Sequence, residues 1–178
     1  FSNTIDTSTV TGLSSATNLE YLHMGGTGLN NLEFVRPLSK LTELIVYSNT
    51  ISDLSPVAGL SNLEMLHFQL NQVSDISPVA SLNNLKYFYA LTNRISDLSP
   101  LASLPLDRIT LGGNLVTDLG PLVANTNLVR GDYVEVRRNC LDVDGDDKVD
   151  IEALERRLGI GTTAGIGFKY DNQRRTCP

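Results

Sequence analysis

The chain has 178 residues, with 14 Lys plus Arg against 20 Asp plus Glu, a net charge of −6 and a pI near 4.8. That acidic balance argues against general nucleic-acid affinity, which needs clustered basic groups to neutralise phosphates, and no stretch approaches the roughly 20 apolar residues of a membrane span. At 41% hydrophobic residues the chain can bury a core and is expected to fold as one domain or one elongated array.

Residues 1–12 (FSNTIDTSTVTG) match the rest of the chain only loosely, with Ile5 where later segments carry Asn and no Ser-Pro step. Phe1 has no charged and apolar leader pattern behind it, so the chain is expected to be a mature or truncated fragment that starts inside an earlier coil.

From residue 13 an internal repeat dominates, and such self-similarity decides the fold class. LSKLTELIVYSNTISDLSPVAG begins at Leu38, LSNLEMLHFQLNQVSDISPVAS at Leu60 and LNNLKYFYALTNRISDLSPLAS at Leu82, a period of 22. Marker asparagines stand at Asn49, Asn71, Asn93 and Asn114, where Pro105 replaces the pair Asn83 and Asn84 and shortens one step to 21. Upstream Thr27 takes the marker position, downstream the frame reaches Asn139 after a small insertion, and about six coils result over residues 1–139. The spacing predicts an α/β solenoid, a leucine-rich repeat horseshoe with one short parallel strand per coil on the concave side. Leu63, Leu66, Phe68, Val73, Ile76, Val79 and Leu82 of one coil fit neither a strand face nor a helix face, but a closed coil turns all seven inward and stacking then excludes water. The marker Asn has the donors and acceptors to serve buried backbone groups where the chain leaves the strand.

The return segments SDLSPVAGL, SDISPVASL, SDLSPLASL and TDLGPLVAN predict short 3₁₀ or helical turns on the convex side. Ser55, Ser77 and Ser99 are expected to cap them, with Pro56, Pro78, Pro100 and Pro121 in the first turn, where proline loses no hydrogen bond. Within the strands, alternation sends the residues between the inward leucines to the concave face. These are Tyr21, His23 and Gly25; Glu43, Ile45 and Tyr47; Met65, His67 and Gln69; Tyr87, Tyr89 and Leu91; Arg108, Thr110 and Gly112; and Tyr133, Glu135 and Arg137. Five of the six tyrosines and both histidines fall on this surface. Tyrosine suits strands in general, but Met65, Ile45 and Leu91 beside them on a face open to water point to an interaction site.

Four copies of N-x-I/V-S/T-D-I/L-x-P-I/L/V at this period resemble the internalin-type leucine-rich repeats of secreted or surface bacterial proteins, over residues ~13–139. The resemblance implies a protein partner docking in the concave sheet: a host or cell-surface protein, bound by a monomeric adhesin or recognition module. A 22-residue period is also similar to intracellular phosphatase-regulator repeats, which would imply a regulatory scaffold, and tyrosines that can stack on sugars keep a glycan ligand open.

Residues 140–178 leave the period and predict a cap for the exposed end of the solenoid. DVDGDDKVD places Asp142, Asp144, Asp146 and Asp150 at positions 1, 3, 5 and 9 of an EF-hand-type or dockerin-like calcium loop. Asp147 stands where such loops carry Gly and Ala153 where they carry Glu, so the alternatives are a structural calcium and a solvated acidic turn in which Asp150 caps the next helix; no other cofactor is called for. Asp150 to Leu158 predicts a short helix burying Ile151, Leu154 and Leu158, the run Gly159 to Gly167 a helix stop, and GFKYD a last extended segment. Cys140 and Cys177 form the only possible disulfide pair, the alternative being two unrelated thiols; a bridge would place the protein outside the cytosol. Stacked strands put His23 and His67 about 10 Å apart, too far to share a metal, and no enzymatic constellation is found.

Overall fold

The computed structural model describes residues 7–159 and 167–170. Seven three-residue strands form one parallel sheet in chain order: β1 (Tyr21–His23), β2 (Glu43–Ile45), β3 (Met65–His67), β4 (Tyr87–Tyr89), β5 (Arg108–Thr110), β6 (Tyr133–Glu135) and β7 (Gly167–Lys169). The register aligns Leu22, Leu44, Leu66, Phe88, Ile109, Val134 and Phe168 in one inward row. Seven strands exceed the six coils of the repeat because the GFK segment adds β7 to the same sheet. The solenoid and the segment after residue 139 therefore share one ladder of backbone hydrogen bonds.

The interior follows the sequence. Leu63, Leu66, Phe68, Val73, Ile76, Val79 and Leu82 are all 0–1% exposed, and each such burial contributes about 1.5–3 kcal/mol before entropy is counted. Phe68 meets Phe88 of the next coil edge-on at 5.3 Å, an arrangement that rings prefer over face-to-face stacking.

Each marker Asn staples its coil to the one before. Asn71 Nδ2 donates to Phe68 O in its own coil (2.9 Å) and to Val46 O in the preceding coil (3.0 Å), while Oδ1 accepts the N–H of Ile51 (2.9 Å). Asn49, Asn93, Asn114 and Asn139 repeat the pattern. Thr27, in the same position, donates from its hydroxyl to Met24 O at 2.9 Å. The residue before each marker is forced into the left-handed region: Gly26, Ser48, Leu70, Thr92, Gly113 and Arg138 all have φ between 53° and 71°. Only the two glycines adopt it without steric cost.

The convex turns are 3₁₀ segments at Glu33–Val35, Ser55–Val57, Ser77–Val79 and Ser99–Leu101, preceded by Thr7–Ser15 and followed by α1 (Gly120–Ala124) and α2 (Lys148–Leu158). Their capping differs from the expectation for Ser55, Ser77 and Ser99. The N-caps are Leu54, Ile76 and Leu98, with no side-chain cap, and the serines are the first helical residues. Their backbone N–H groups donate to Asp53, Asp75 and Asp97 at 2.7, 2.7 and 2.8 Å, and Asp118 serves Gly120 in the same way at 2.7 Å. The Asp of each S-D-x-S-P step closes the turn because its carboxylate reaches the amide two residues on. These bonds hold the Asp75 carboxyl below its ordinary range.

In the last coil α2 begins at Lys148, two residues before the expected Asp150, and its N-cap is Asp147. Ile151, Leu154 and Leu158 are buried as the spacing predicts. Gly159 ends the helix at φ 85°. Residues 160–166, Cys177 and Ile5 lie outside the described residues, and of the expected remnant coil only the part from Thr7 is described.

Candidate binding face

The concave side of the sheet carries three rows of side chains, one from each outward strand position. Tyr21, Glu43, Met65, Tyr87, Arg108 and Tyr133 align in the first row, and His23, Ile45, His67, Tyr89, Thr110 and Glu135 in the second. Two residues further on stand Gly25, Tyr47, Gln69, Leu91, Gly112 and Arg137. The sequence-predicted residues thus share one face.

The face is drier than alternation alone suggests. Tyr21 is 51% exposed, but Ile45, Tyr47, Met65, His67, Tyr87, Tyr89 and Leu91 are half-buried, and Thr110, Gly112 and Glu135 are buried. Strands this close press outward side chains against one another along the sheet. A continuous aromatic line results: His23 to Tyr47 at 5.5 Å, Tyr47 to His67 at 5.2 Å and His67 to Tyr89 at 5.1 Å between ring centroids, all tilted. Tyr47 leans back between the two histidines because coil 1 offers Gly25 there; a Cβ on Gly25 would come within 2.6 Å of the Tyr47 ring. The ring of Tyr47 separates His23 from His67.

Burial lowers the His67 pKa, opposed by a hydrogen bond with the Gln69 side chain and reinforced by the charge of His23. Burial raises that of Tyr89, which the nearby Arg108 opposes and Tyr87 reinforces. Beyond Tyr89 the chemistry changes. Arg108 sits over the Tyr133 ring at 4.8 Å, and Glu135, 3% exposed, accepts from Nε of Arg137 at 2.9 Å and from its backbone N–H at 3.0 Å. A trough of 590 Å³ opens over Gly112 and Gly113, with Leu91 and Thr92 on one side and Glu135, Arg137 and Arg138 on the other. Among the described residues two buried side-chain polar atoms have no partner, His67 Nε2 and Thr110 Oγ1, and both lie in the second row.

Sequence reasoning placed Thr110, Gly112, Glu135 and Arg137 on this face without giving them a role, and it missed Leu70, Thr92 and Arg138, which border the face in left-handed conformation. The available signal was the pair Gly112-Gly113, where neighbouring coils carry large side chains.

In the acidic loop Asp142, Asp144 and Asp146 are exposed, and no group of three or more His, Cys, Asp or Glu placed to hold a metal ion occurs among the described residues. Asp147, 8% exposed, accepts the backbone N–H of Asp142 at 2.7 Å, and burial foremost raises its pKa. It occupies the interior of the turn at the position where a calcium loop has Gly. No helix among the described residues is long and apolar enough to cross a membrane.

Comparison with known proteins agrees with this architecture. The family model "Leucine Rich repeats (2 copies)" matches residues 61–103, and no curated protein sequence matches the chain. Among solved structures the chain is similar to an internalin of Listeria monocytogenes at 28% identity and TM-score 0.77, covering 93% of this chain and 45% of that one. An internalin C2 of the same organism matches at 27% identity and TM-score 0.56, over 72% of this chain and 66% of that one. A leucine-rich repeat protein of Leptospira interrogans shares the fold at 23% identity and TM-score 0.72, over 93% and 41%. The chain spans less than half the length of the first and third of these.

Proposed function

We propose that this leucine-rich repeat solenoid is a protein-binding recognition module, acting as a secreted or surface-attached bacterial adhesin whose concave face receives a protein ligand. The observation that carries the reading is the aromatic line from His23 to Tyr89, flanked by Met65, Tyr87 and Leu91 on one side of a single sheet. Tyrosines fixed by their neighbours lose little entropy on binding, and clustered aromatic anchors dominate interface energies. Leu70 strengthens the case. It is 48% exposed while held at φ 56°, a conformation that Gly or Asn would adopt at less cost.

The tilted stacking also bears on a glycan ligand. Sugar recognition needs a free ring face, and neighbours press on both sides of Tyr47 and His67. A protein partner, touching ring edges and hydroxyls, fits the face better. The extracytoplasmic reading rests on the expected pairing of Cys140 with Cys177 and on the likeness to internalins; calcium at the Asp142–Asp150 loop would be structural, and isothermal titration with millimolar Ca²⁺ tests whether it binds.

The decisive experiment compares partner capture by wild type, Tyr87→Ala and Tyr89→Ala. Each variant should keep its melting temperature and lose at least about 30-fold in affinity, as truncated central anchors do. Normal binding by both variants sinks the concave-face reading. Mass spectrometry showing free thiols at Cys140 and Cys177 in the native protein removes the main support for an extracytoplasmic site.

A further inference from the structure

Coil 1 carries two adjacent glycines, and only one of them answers a demand of the backbone. Gly26 has φ 67° and precedes the marker position, as Ser48 and Leu70 do in the next two coils. Gly25 lies outside the left-handed region, so its missing Cβ is a matter of space. What fills that space is the phenol end of Tyr47. A Cβ on Gly25 would stand 2.6 Å from Cζ, 2.7 Å from Cε1 and 2.9 Å from Cε2 of the ring. The two coils cannot part to make room, because the backbone ladder runs on past the strands: the Met24 N–H donates to Ile45 O at 2.7 Å and the Gly26 N–H to Tyr47 O at 2.8 Å. Nor can the ring turn towards coil 3, where His67 stands 5.2 Å away. The rest of this row offers no such seat. Tyr47, Gln69, Leu91 and Arg137 carry side chains of their own, and the space over Gly112 is taken from two sides, by Leu91 Cδ2 at 3.0 Å and the Glu135 carboxylate oxygens at 2.7 Å from a Cβ placed there.

We propose that Gly25 is the positioning residue of the concave face: its bare backbone is the seat that lays Tyr47 down between His23 and His67 and so joins coil 1 to the aromatic line. The inference rests on the concave-face reading and names the residue that decides the shape of that face. With Gly25 in place a partner meets one unbroken surface from His23 to Tyr89. A larger residue turns the Tyr47 ring up off the sheet, since the contact is with the free end of a side chain that can change rotamer. A ridge then separates coil 1 from coil 3. Anchors contribute in well-packed, desolvated contacts, and a clash excludes a partner shaped for the flat face, so residue 25 selects among partners although the partner need never touch it.

The seat reaches as far as His67. Tyr47 forms one wall of that imidazole and Tyr89 the other. Its Nε2 is buried without a hydrogen-bond partner, and burial foremost lowers its pKa, opposed by the Gln69 hydrogen bond and reinforced by the charge of His23. The titratable side chains at the outward positions of the two flanking coils are Glu43, Tyr47, Tyr87 and Tyr89. Of these only Tyr47 is held by Gly25, so lifting its ring opens one side of His67 to water and leaves the charges around it in place.

The test is NMR on the whole chain, following the imidazole signals of His23 and His67 through a pH titration, with the backbone amides as a control for the fold. Gly25→Ala is expected to keep the amide pattern of β1 to β6 and nearly the same melting temperature, the stiffer unfolded chain offsetting the lost ring contact. Both imidazole signals should move, and the His67 midpoint should rise towards its ordinary 6.5. Tyr47→Ala, which empties the seat without crowding it, should raise that midpoint too, whereas Tyr47→Phe keeps the ring and should titrate as wild type. The double variant Gly25→Ala, Tyr47→Ala should match Tyr47→Ala alone, because Gly25 acts only through the ring. The assignment is overturned if Gly25→Ala leaves both histidines as in wild type, if its changes add to those of Tyr47→Ala in the double variant, if the Met24 and Gly26 amides shift while the histidines do not, or if the Gly25→Ala chain fails to fold. No partner enters these measurements, so their failure removes the seat and leaves the concave-face reading standing. Normal binding by Tyr87→Ala and Tyr89→Ala removes that reading, and with it the part of Gly25 in recognition.

Discussion

Two regions of this chain close a buried turn with a side chain, and they do it with different chemistry. In the repeats the closing group is the neutral carboxamide of Asn49, Asn71, Asn93, Asn114 or Asn139, which donates to two coils and accepts from one. In the last coil it is the carboxylate of Asp147, which accepts from Asp142 and has no proton to give at neutral pH. The amide fits a place where carbonyls and amides converge and is indifferent to pH. The acid fits a place where one amide must be served, at the cost of burying a charge among Asp150, Asp118 and Asp142. The difference shows why the period runs through Asn139 and then stops: the repeated turn needs both donors and acceptors, and the terminal one does not.

The largest effect is expected from removing an amide where water cannot replace it. Asn114 is 0% exposed and serves Ala90 O, Leu111 O and Ile95 N. Asn114→Leu leaves these groups unpaired at about 1–3 kcal/mol each, so chemical denaturation should show a loss of about 3 kcal/mol or more. Asn71→Leu, at a half-buried site, should cost less. Equal losses at the two sites, or none, would break the account of the staple. Asn114→Asp sharpens it, because a carboxylate cannot donate to either carbonyl. That variant should be destabilised at pH 7 and recover part of the loss in acid.

Much of this was legible in the sequence, and what was missed shares a cause. The period, the inward residues of each coil, the marker Asn and the outward alternation all follow from side-chain chemistry repeated at fixed spacing. The left-handed residues before each marker were invisible because Gly26, Ser48, Leu70, Thr92, Gly113 and Arg138 have no chemistry in common; the demand is on the backbone alone. The turn caps were assigned to Ser55, Ser77 and Ser99 by residue preference, whereas geometry gives them to the aspartates two residues earlier. Alternation located the residues of the concave face but not their lateral packing, so Met65, Ile45 and Leu91 looked wetter than they are. Asn125, fully buried at the end of α1 and donating to Leu101 O and Leu104 O, broke the period and so went unread.

A smaller effect separates the concave sheet from the acidic loop by the sign of its pH dependence. His67 has a pKa below its ordinary 6.5, chiefly through burial. The folded state therefore binds fewer protons than the unfolded one below that pH, and stability present above it is lost as pH falls through 6.5 towards the depressed folded value. Thermal melts should show the decline in wild type and a flatter profile in His67→Gln. An equal decline in the variant would show that His67 protonates freely in the folded chain.

The smallest expected change is at Asp147, and its slope runs the other way. Its folded pKa is raised above the ordinary 3.8 by burial first, with Asp150, Asp118 and Asp142 adding to the effect and the Asp142 N–H opposing it. Between 3.8 and that raised value the folded state holds more protons than the unfolded one, so this group's contribution falls as pH rises through the window and stays unfavourable at neutral pH. Asp147→Asn keeps an oxygen to accept the Asp142 amide at nearly the same place and removes the buried charge. It should raise the melting temperature at pH 7 by about 2 °C, the shift expected of somewhat under 1 kcal/mol in a chain of this size. The gain should vanish near pH 3, where wild type carries its own proton. A variant that melts lower than wild type at pH 7 would mean that the carboxylate has a partner worth more than its burial costs, and the addition of Ca²⁺ to both proteins would then show whether that partner is the cation suggested by the Asp142–Asp150 spacing.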